Sequence, residues 1–378
     1  MILFSFCLDL LIAVLGAAGV AMSFRANGWG MFQYYTLLSN LFLLLACAAQ
    51  AWYEANIALR RRLYVPSWVR VAKYFAVCTT TVTFFVVLFI LVPMAGGLSM
   101  LAPYLTQGSM LYHHLLCPVL GFVSFVFLDR ANLPDRRVTL WALAPTALYA
   151  TVTIVLNAIG KLYGPYPFML VREQPFYMSV FWCALILALA WALAYLVWRL
   201  SLRFGEPRAV EEDGLPEAAG WTEDGYLKNQ EALYAYTYRT IPAGDNACGP
   251  VAAYNLRHHE GHDARLTDVL AEMDDLHLLC VPGPTLMYVM RKYLRKYLPN
   301  WRETRGKDAC LAAAARSRMG VFRYHEQKIP HFVAYYRAGG DLFRFLNIWD
   351  DIEDVQLTME KFGRDHLLGG SVRLIYWE

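Results

Sequence analysis

Charge is scarce in this chain. Charged residues make up 17% of 378 positions against 57% hydrophobic ones, which excludes a disordered chain and points to a membrane protein. Neither sign prevails, and a net charge of +3 gives no argument for nucleic acid as a partner. The eight cysteines are Cys7, Cys47, Cys78, Cys117, Cys183, Cys248, Cys280 and Cys310. They lack the paired spacing of a disulfide framework or a zinc site, and the first five lie in apolar runs, where cysteine behaves as a small hydrophobe. No G-x-x-x-x-G-K-[ST] loop occurs, so a nucleotide-driven transporter has no support. The first apolar run is long, and no small-residue cleavage site follows a basic start, which speaks against a removable signal peptide. Internal repeats are lacking too, and no cofactor or metal is expected.

The apolar residues are concentrated before residue 200. Six runs, near 2–24, 33–54, 73–95, 108–128, 138–158 and 177–198, are each long enough to cross a bilayer as a helix. An even number of spans puts both ends on one side. That side carries Arg60, Arg61, Arg62, Arg70, Lys73, Arg130, Arg136, Arg137, Arg199, Arg203 and Arg208, against Arg25, Lys161 and Arg172 opposite. The bias predicts a multi-pass protein of the cell membrane with both termini cytoplasmic.

Polar residues inside the spans carry a first candidate site. Thr36 and Asn40 share a helix face near the start of span 2, close to Ser39. His113 and His114 lie at similar depth near the start of span 4. A hydroxyl and an imidazole at one depth can act as nucleophile and base; hydrogen bonding between helices is the commoner use of such residues. Asp9 lies near the cytoplasmic end of span 1, where it can reach the headgroups. Three motifs, Gln33–Asn40, His113–Pro118 with Phe127-Leu-Asp129 after it, and Tyr163–Phe168, resemble the androgen-induced-protein family of six-span membrane proteins and its bacterial relatives. The resemblance covers about residues 1–200. It implies hydrolysis of lipid esters by an intramembrane threonine and histidine, Thr36 with His113 or His114.

Residues 204–227 hold consecutive acidic residues, two prolines and four glycines, and read as a linker between a six-helix membrane domain (1–203) and a soluble domain (228–378). In the soluble part helical patterns come first, at Val251–His259, Leu266–Leu279, Thr285–Tyr297 and Asp308–Arg316. Strand patterns follow at Gly320–Tyr324, His331–Arg337, Leu342–Ile348 and Ser371–Trp377, with a Gly339-Gly340 turn. That order predicts an α+β domain with an antiparallel sheet.

Gly244-Asp-Asn-Ala-Cys248-Gly-Pro sets a thiol at a helix start, where the helix dipole favours the thiolate. His331 begins a strand and Asn347 ends the next strand of the hairpin, so the two are expected to be neighbours. Cysteine, base and orienting group are what a thiol nucleophile needs. The Asn-Ala-Cys-Gly-Pro and His-Phe-Val-Ala-Tyr-Tyr motifs resemble the papain-like peptidases that process double-glycine bacteriocin leaders, over about residues 229–378. The resemblance implies Cys248 as nucleophile, His331 as base and Asn347 as orienting residue, with Asp350 as the alternative third member. The glutamine those enzymes carry just before the cysteine is missing. Asn246 is the candidate oxyanion donor in its place.

Two further clusters read as solvated surfaces. His258, His259 and His262 lack the ligands to complete a metal shell. Arg291, Lys292, Arg295 and Lys296 form a basic helix face within reach of anionic lipid. The leading expectation is a membrane-anchored cysteine hydrolase acting through an acyl-enzyme on a peptide or acyl/amide substrate at the cytoplasmic side. The alternatives are a Thr/His lipid-ester hydrolase in the membrane and an inactive papain-like binding module on a membrane scaffold.

Overall fold

The computed structural model describes residues 2–59, 61–62, 64–129, 136–204, 220–239, 241–277, 285–326, 329–348 and 355–378. The chain divides into two compact units. One is Met1–Ala58 with Ser67–Arg208; the other is Leu59–Pro66 with Ala209–Glu378.

Among its described residues the first unit contains six helical spans long and apolar enough to cross a membrane: Ile2–Gln33, Tyr35–Ala58, Ser67–Met94, Leu111–Leu128, Val138–Ala158 and Phe176–Phe204. Each overlaps one of the six apolar runs, with ends that differ by up to nine residues. Large apolar side chains such as Phe4, Phe89, Trp141 and Phe176 point outward, as suits a lipid-facing surface. Small residues let the helices approach. A Cβ on Gly16 would lie 3.2 Å from Leu44 Cβ, and one on Gly121 would lie 3.0 Å from Leu43 Cδ2.

Span 4 is not a regular α-helix. Leu111–Leu116 and Ser124–Leu128 are π-helical turns. Pro118 explains the first: it has no N–H for the His114 carbonyl four residues back, so the turn widens there. Such widened turns recur at functional sites, and this one carries both candidate histidines.

Asp9 does not reach headgroups. It is fully buried, and Lys73, counted above with the flanking positive charges, is buried beside it. Lys73 Nζ lies 2.7 Å from Asp9 Oδ2 and 2.8 Å from Asp129 Oδ2, and it donates to Ser124 Oγ at 2.9 Å. The Ser124 hydroxyl donates to Asp9 Oδ1 at 2.7 Å. Glu54 completes the cluster and accepts from Ser5 Oγ (2.7 Å) and Gln50 Nε2 (3.0 Å). A buried charge needs this kind of pairing to persist.

The second unit is α+β. Its longer helices among the described residues are α1 (Cys248–His259), α2 (Leu266–Asp275), α3 (Met287–Tyr297), α4 (Lys307–Ala314) and α5 (Met359–Asp365). Six strands, β1 (Arg302–Arg305), β2 (Met319–Glu326), β3 (Ile329–Gly339), β4 (Leu342–Leu346), β5 (Val355–Leu357) and β6 (Arg373–Trp377), form an antiparallel sheet in the order β1-β6-β2-β3-β4-β5. Strand alternation gives the sheet two apolar faces. Val321, Phe332, Ala334 and Ile375 pack under α1, α2 and α3. Phe322, Val333, Tyr335 and Leu374 face the opposite way, against α4 and α5.

The expected linker is partly structure. Residues 205–219 lie outside the described residues, but Tyr226 and Leu227 are core. Leu227 exchanges two hydrogen bonds of 2.9 Å with the Asn255 side chain.

Candidate functional site

Cys248 opens α1, as its sequence context predicts. The Gly249 that follows is needed for packing: a Cβ there would lie 2.4 Å from Thr285 Cβ. The thiol is buried, at 2% exposure. Burial pushes it up to about 11, against the pull of the Phe332, Gly249 and Cys248 backbone N–H groups and the Arg323 charge. The helix start therefore does not yield the lowered thiol pKa expected of it, because desolvation outweighs the dipole.

His331 and Asn347 are neighbours, as the hairpin predicts. The contact is to the backbone: His331 Nε2 lies 2.7 Å from the Asn347 carbonyl oxygen. A carbonyl only accepts, so Nε2 carries the proton and Nδ1 is the basic nitrogen of the neutral ring. The Asn347 side chain turns to Gln230. Its Nδ2 donates to Gln230 Oε1 (2.8 Å) and its Oδ1 accepts from Gln230 N (2.9 Å). Gln230 Nε2 donates to the Gly244 carbonyl at 2.6 Å, four residues before the thiol. Gln230 was not singled out in the sequence; it lies far upstream of Cys248, with no motif around it.

Along β3, Phe332 shares the α1 side of the sheet with Cys248, while Val333 and Tyr335 take the other side. His331 pairs in register with Tyr324 and meets that ring edge-on at 5.9 Å. The thiol meets the Phe332 backbone N–H, and the imidazole meets the Tyr324 ring and the Asn347 carbonyl. Asn246 spends one N–H on the Tyr238 carbonyl, 3.2 Å away. Asp350 lies outside the described residues.

Of the histidine cluster, His258 and His259 at the end of α1 make packing contacts, while His262 is exposed. His258 lies 2.7 Å from the Asp224 carbonyl oxygen through Nε2, and His259 stacks on Tyr336 with ring centroids 4.1 Å apart. On the basic face of α3, Arg291 pairs with Glu303, at 2.7 Å and 2.6 Å.

In the membrane unit the candidates converge. A cavity of about 460 Å³ is lined by Ser23, Thr36, His113, His114 and Tyr166, among others. Asn40 ties its walls together, donating from Nδ2 to the Thr36 carbonyl (2.8 Å) and to the His113 carbonyl (3.0 Å). Ser39 bonds the Thr83 hydroxyl at 3.0 Å. The adjacent histidines, which the sequence leaves undivided, have different partners. His113 Nε2 lies 3.0 Å from Ser23 Oγ. His114 Nδ1 lies 2.6 Å from the Tyr104 carbonyl oxygen and so must donate. Thr36 has Tyr166 as its neighbour: its N and Oγ1 are 3.3 Å and 3.4 Å from the Tyr166 hydroxyl. A second, narrower and largely apolar groove shares Thr36, Leu91 and Tyr166 with this cavity and continues along Val82, Val86 and Ile186.

Ser23 was not identified in the sequence. One signal was available: Gly16, Gly19 and Ser23 are small residues on one face of span 1, a pattern that admits a neighbouring helix.

No protein-family model matches this chain, and no curated protein and no solved structure matches it either.

Proposed function

We propose that this chain is a membrane-embedded hydrolase of lipid esters, with its chemistry in the cavity shared by spans 1, 2 and 4. One observation carries the reading: the cavity gathers two hydroxyls, Ser23 and Thr36, and two imidazoles, His113 and His114, and shares Thr36, Leu91 and Tyr166 as walls with an apolar groove. The groove suits an acyl chain, and the polar cavity suits the ester and its headgroup side. A hydroxyl attacks the ester carbonyl, an imidazole takes its proton, and the same imidazole returns it to the departing alcohol. Water then releases the acid.

Ester turnover by the purified chain in lipid nanodiscs tests this. Histidine general-base catalysis is worth about 10²–10⁴ in rate, so His113→Ala should lose about that much, while Cys248→Ala keeps full turnover. Unchanged turnover in both His113→Ala and His114→Ala would overturn the reading.

A second reading, a thiol hydrolase in the C-terminal unit, is favoured by the chain of bonds from His331 through Asn347 to Gln230, which fixes the histidine tautomer a cysteine nucleophile requires. Its obstacle is the buried thiol. With the thiol pushed up to about 11, thiolate forms only as the pH climbs well past 9, and alkylation between pH 5 and pH 9 should be slow. Selective labelling of Cys248 below pH 8, abolished by His331→Ala, would establish the thiol enzyme. Slow labelling that ignores His331 would dismiss it.

A further inference from the structure

The assignment that follows rests on the ester-hydrolase reading and names the attacking group. We propose that the nucleophile is Ser23, on span 1, and that His113 is its base.

Three observations support it. First, Ser23 Oγ is the hydroxyl in hydrogen-bond contact with an imidazole of this cavity, 3.0 Å from His113 Nε2. That is the distance at which a serine passes its proton to a histidine. Thr36, the hydroxyl that the motif resemblance suggests, instead lies against the Tyr166 phenol at 3.4 Å.

Second, span 1 is shaped around the His113 ring. A Cβ on Gly19 would lie 2.8 Å from His113 Cε1 and 3.3 Å from Nδ1, so only glycine leaves room for the imidazole there. Ser23 follows Gly19 by four residues, on the same helix face. The glycine admits the ring and the serine meets its Nε2. The opposite side of the histidine is held by its own backbone: its carbonyl accepts from Asn40 Nδ2 at 3.0 Å, within the π-helical turn Leu111–Leu116.

Third, the pair is buried yet borders space. Ser23 is 6% exposed and His113 3% exposed, and both line the cavity of about 460 Å³. Both therefore border the space in which an ester would sit.

The step balances as follows. With Nδ1 protonated, His113 Nε2 removes the Ser23 hydroxyl proton as Oγ bonds to the ester carbonyl carbon. The tetrahedral intermediate collapses, the bond from carbon to the alkoxy oxygen breaks, and the alcohol takes the proton from Nε2. Water, deprotonated by Nε2, attacks the acyl-serine. The carboxylic acid leaves and Oγ regains its hydrogen.

The test uses the full-length chain in nanodiscs and an alkyl fluorophosphonate, which forms a phosphorus–oxygen bond with an activated hydroxyl and releases fluoride. Peptide mapping by mass spectrometry locates the adduct. The expected result is modification of Ser23 that disappears in His113→Ala, together with loss of at least about 10²-fold in ester turnover in Ser23→Ala. Because Ser23→Ala can also disturb the seat of His113, the adduct on the unaltered chain is the deciding readout. An adduct on Thr36 overturns the Ser23 assignment and leaves the hydrolase reading standing. Neither an adduct nor ester turnover overturns both.

Discussion

At Asn347 the backbone adopts φ 69°, a left-handed conformation that costs most residues about 1–2 kcal/mol and that asparagine tolerates better than most. This conformation ends β4 and turns the carbonyl toward His331. Strain and hydrogen bonding can be separated here by two substitutions. Asn347→Gly and Asn347→Ala both remove the bonds to Gln230 and leave its buried side chain short of partners, a loss of about 1–3 kcal/mol. Alanine must also bear the left-handed backbone, which glycine does not. The alanine variant should therefore be less stable than the glycine variant by about 1 kcal/mol, read as a shift in the urea midpoint of the detergent-solubilised chain. Equal midpoints would mean that the conformation carries no cost. The position was legible in the sequence, because a two-glycine hairpin necessarily returns the chain past His331. The use of the carbonyl instead of the side chain was not legible, since it depends on a single dihedral angle and on Gln230, more than a hundred residues away.

The membrane-spanning elements repeat this contrast. Length and hydropathy locate all six spans, because lipid imposes the same requirement on each. The partners of polar side chains within them depend on helix rotation and neighbours, which a single sequence does not specify. Lys73 shows the consequence. Its ammonium is held by Asp9 and Asp129 with no exposure, so replacing it strands carboxylates in a dry interior. Lys73→Met should cost about 3–5 kcal/mol, the usual penalty for breaking a buried pair from one side. Adding Asp9→Asn and Asp129→Asn should recover part of that loss, because two of the three carboxylates of the cluster then need no counter-charge and only Glu54 still does. The comparison is made by thermal unfolding in one detergent; a triple variant no better than Lys73→Met would show that the ammonium acts through packing alone. In the C-terminal unit, β1 reads Arg-Glu-Thr-Arg and shows no apolar alternation. It is an edge strand paired to β6 on one side, so its side chains need no apolar period, and the sequence pattern misses it.

At the scale of the whole molecule, the division into two units does not follow chain order. The second unit takes in Leu59–Pro66, which joins spans 2 and 3 in sequence, together with everything after Arg208. A composition shift near residue 204 marks the later boundary, but eight residues between two apolar runs carry no signal that they belong to a distant domain. Tyr64 is the reason they do. It is 7% exposed and packs in the core that includes α1 and α2. Its hydroxyl donates to Asp274 Oδ2 at 2.9 Å and accepts from the Arg239 backbone N–H at 3.2 Å. Asp274 is itself raised above the ordinary carboxyl range by burial, an effect that the Tyr64 hydroxyl and Arg239 oppose. A carboxyl whose folded pKa is raised makes the fold less stable as pH climbs from its unfolded to its folded value. Removing the hydroxyl raises it further, so Tyr64→Phe should cost about 1 kcal/mol or more near pH 7 and less near pH 4, because the folded carboxyl, with its raised pKa, takes up its proton as the pH falls before the unfolded one does. Tyr64→Ala should cost about 3–5 kcal/mol at either pH, since the ring is lost as well. Urea unfolding of the full chain, followed at both pH values, distinguishes these outcomes. If Tyr64→Phe costs the same at pH 4 and pH 7, the hydroxyl does not govern the charge on Asp274, and the segment is held by its ring alone.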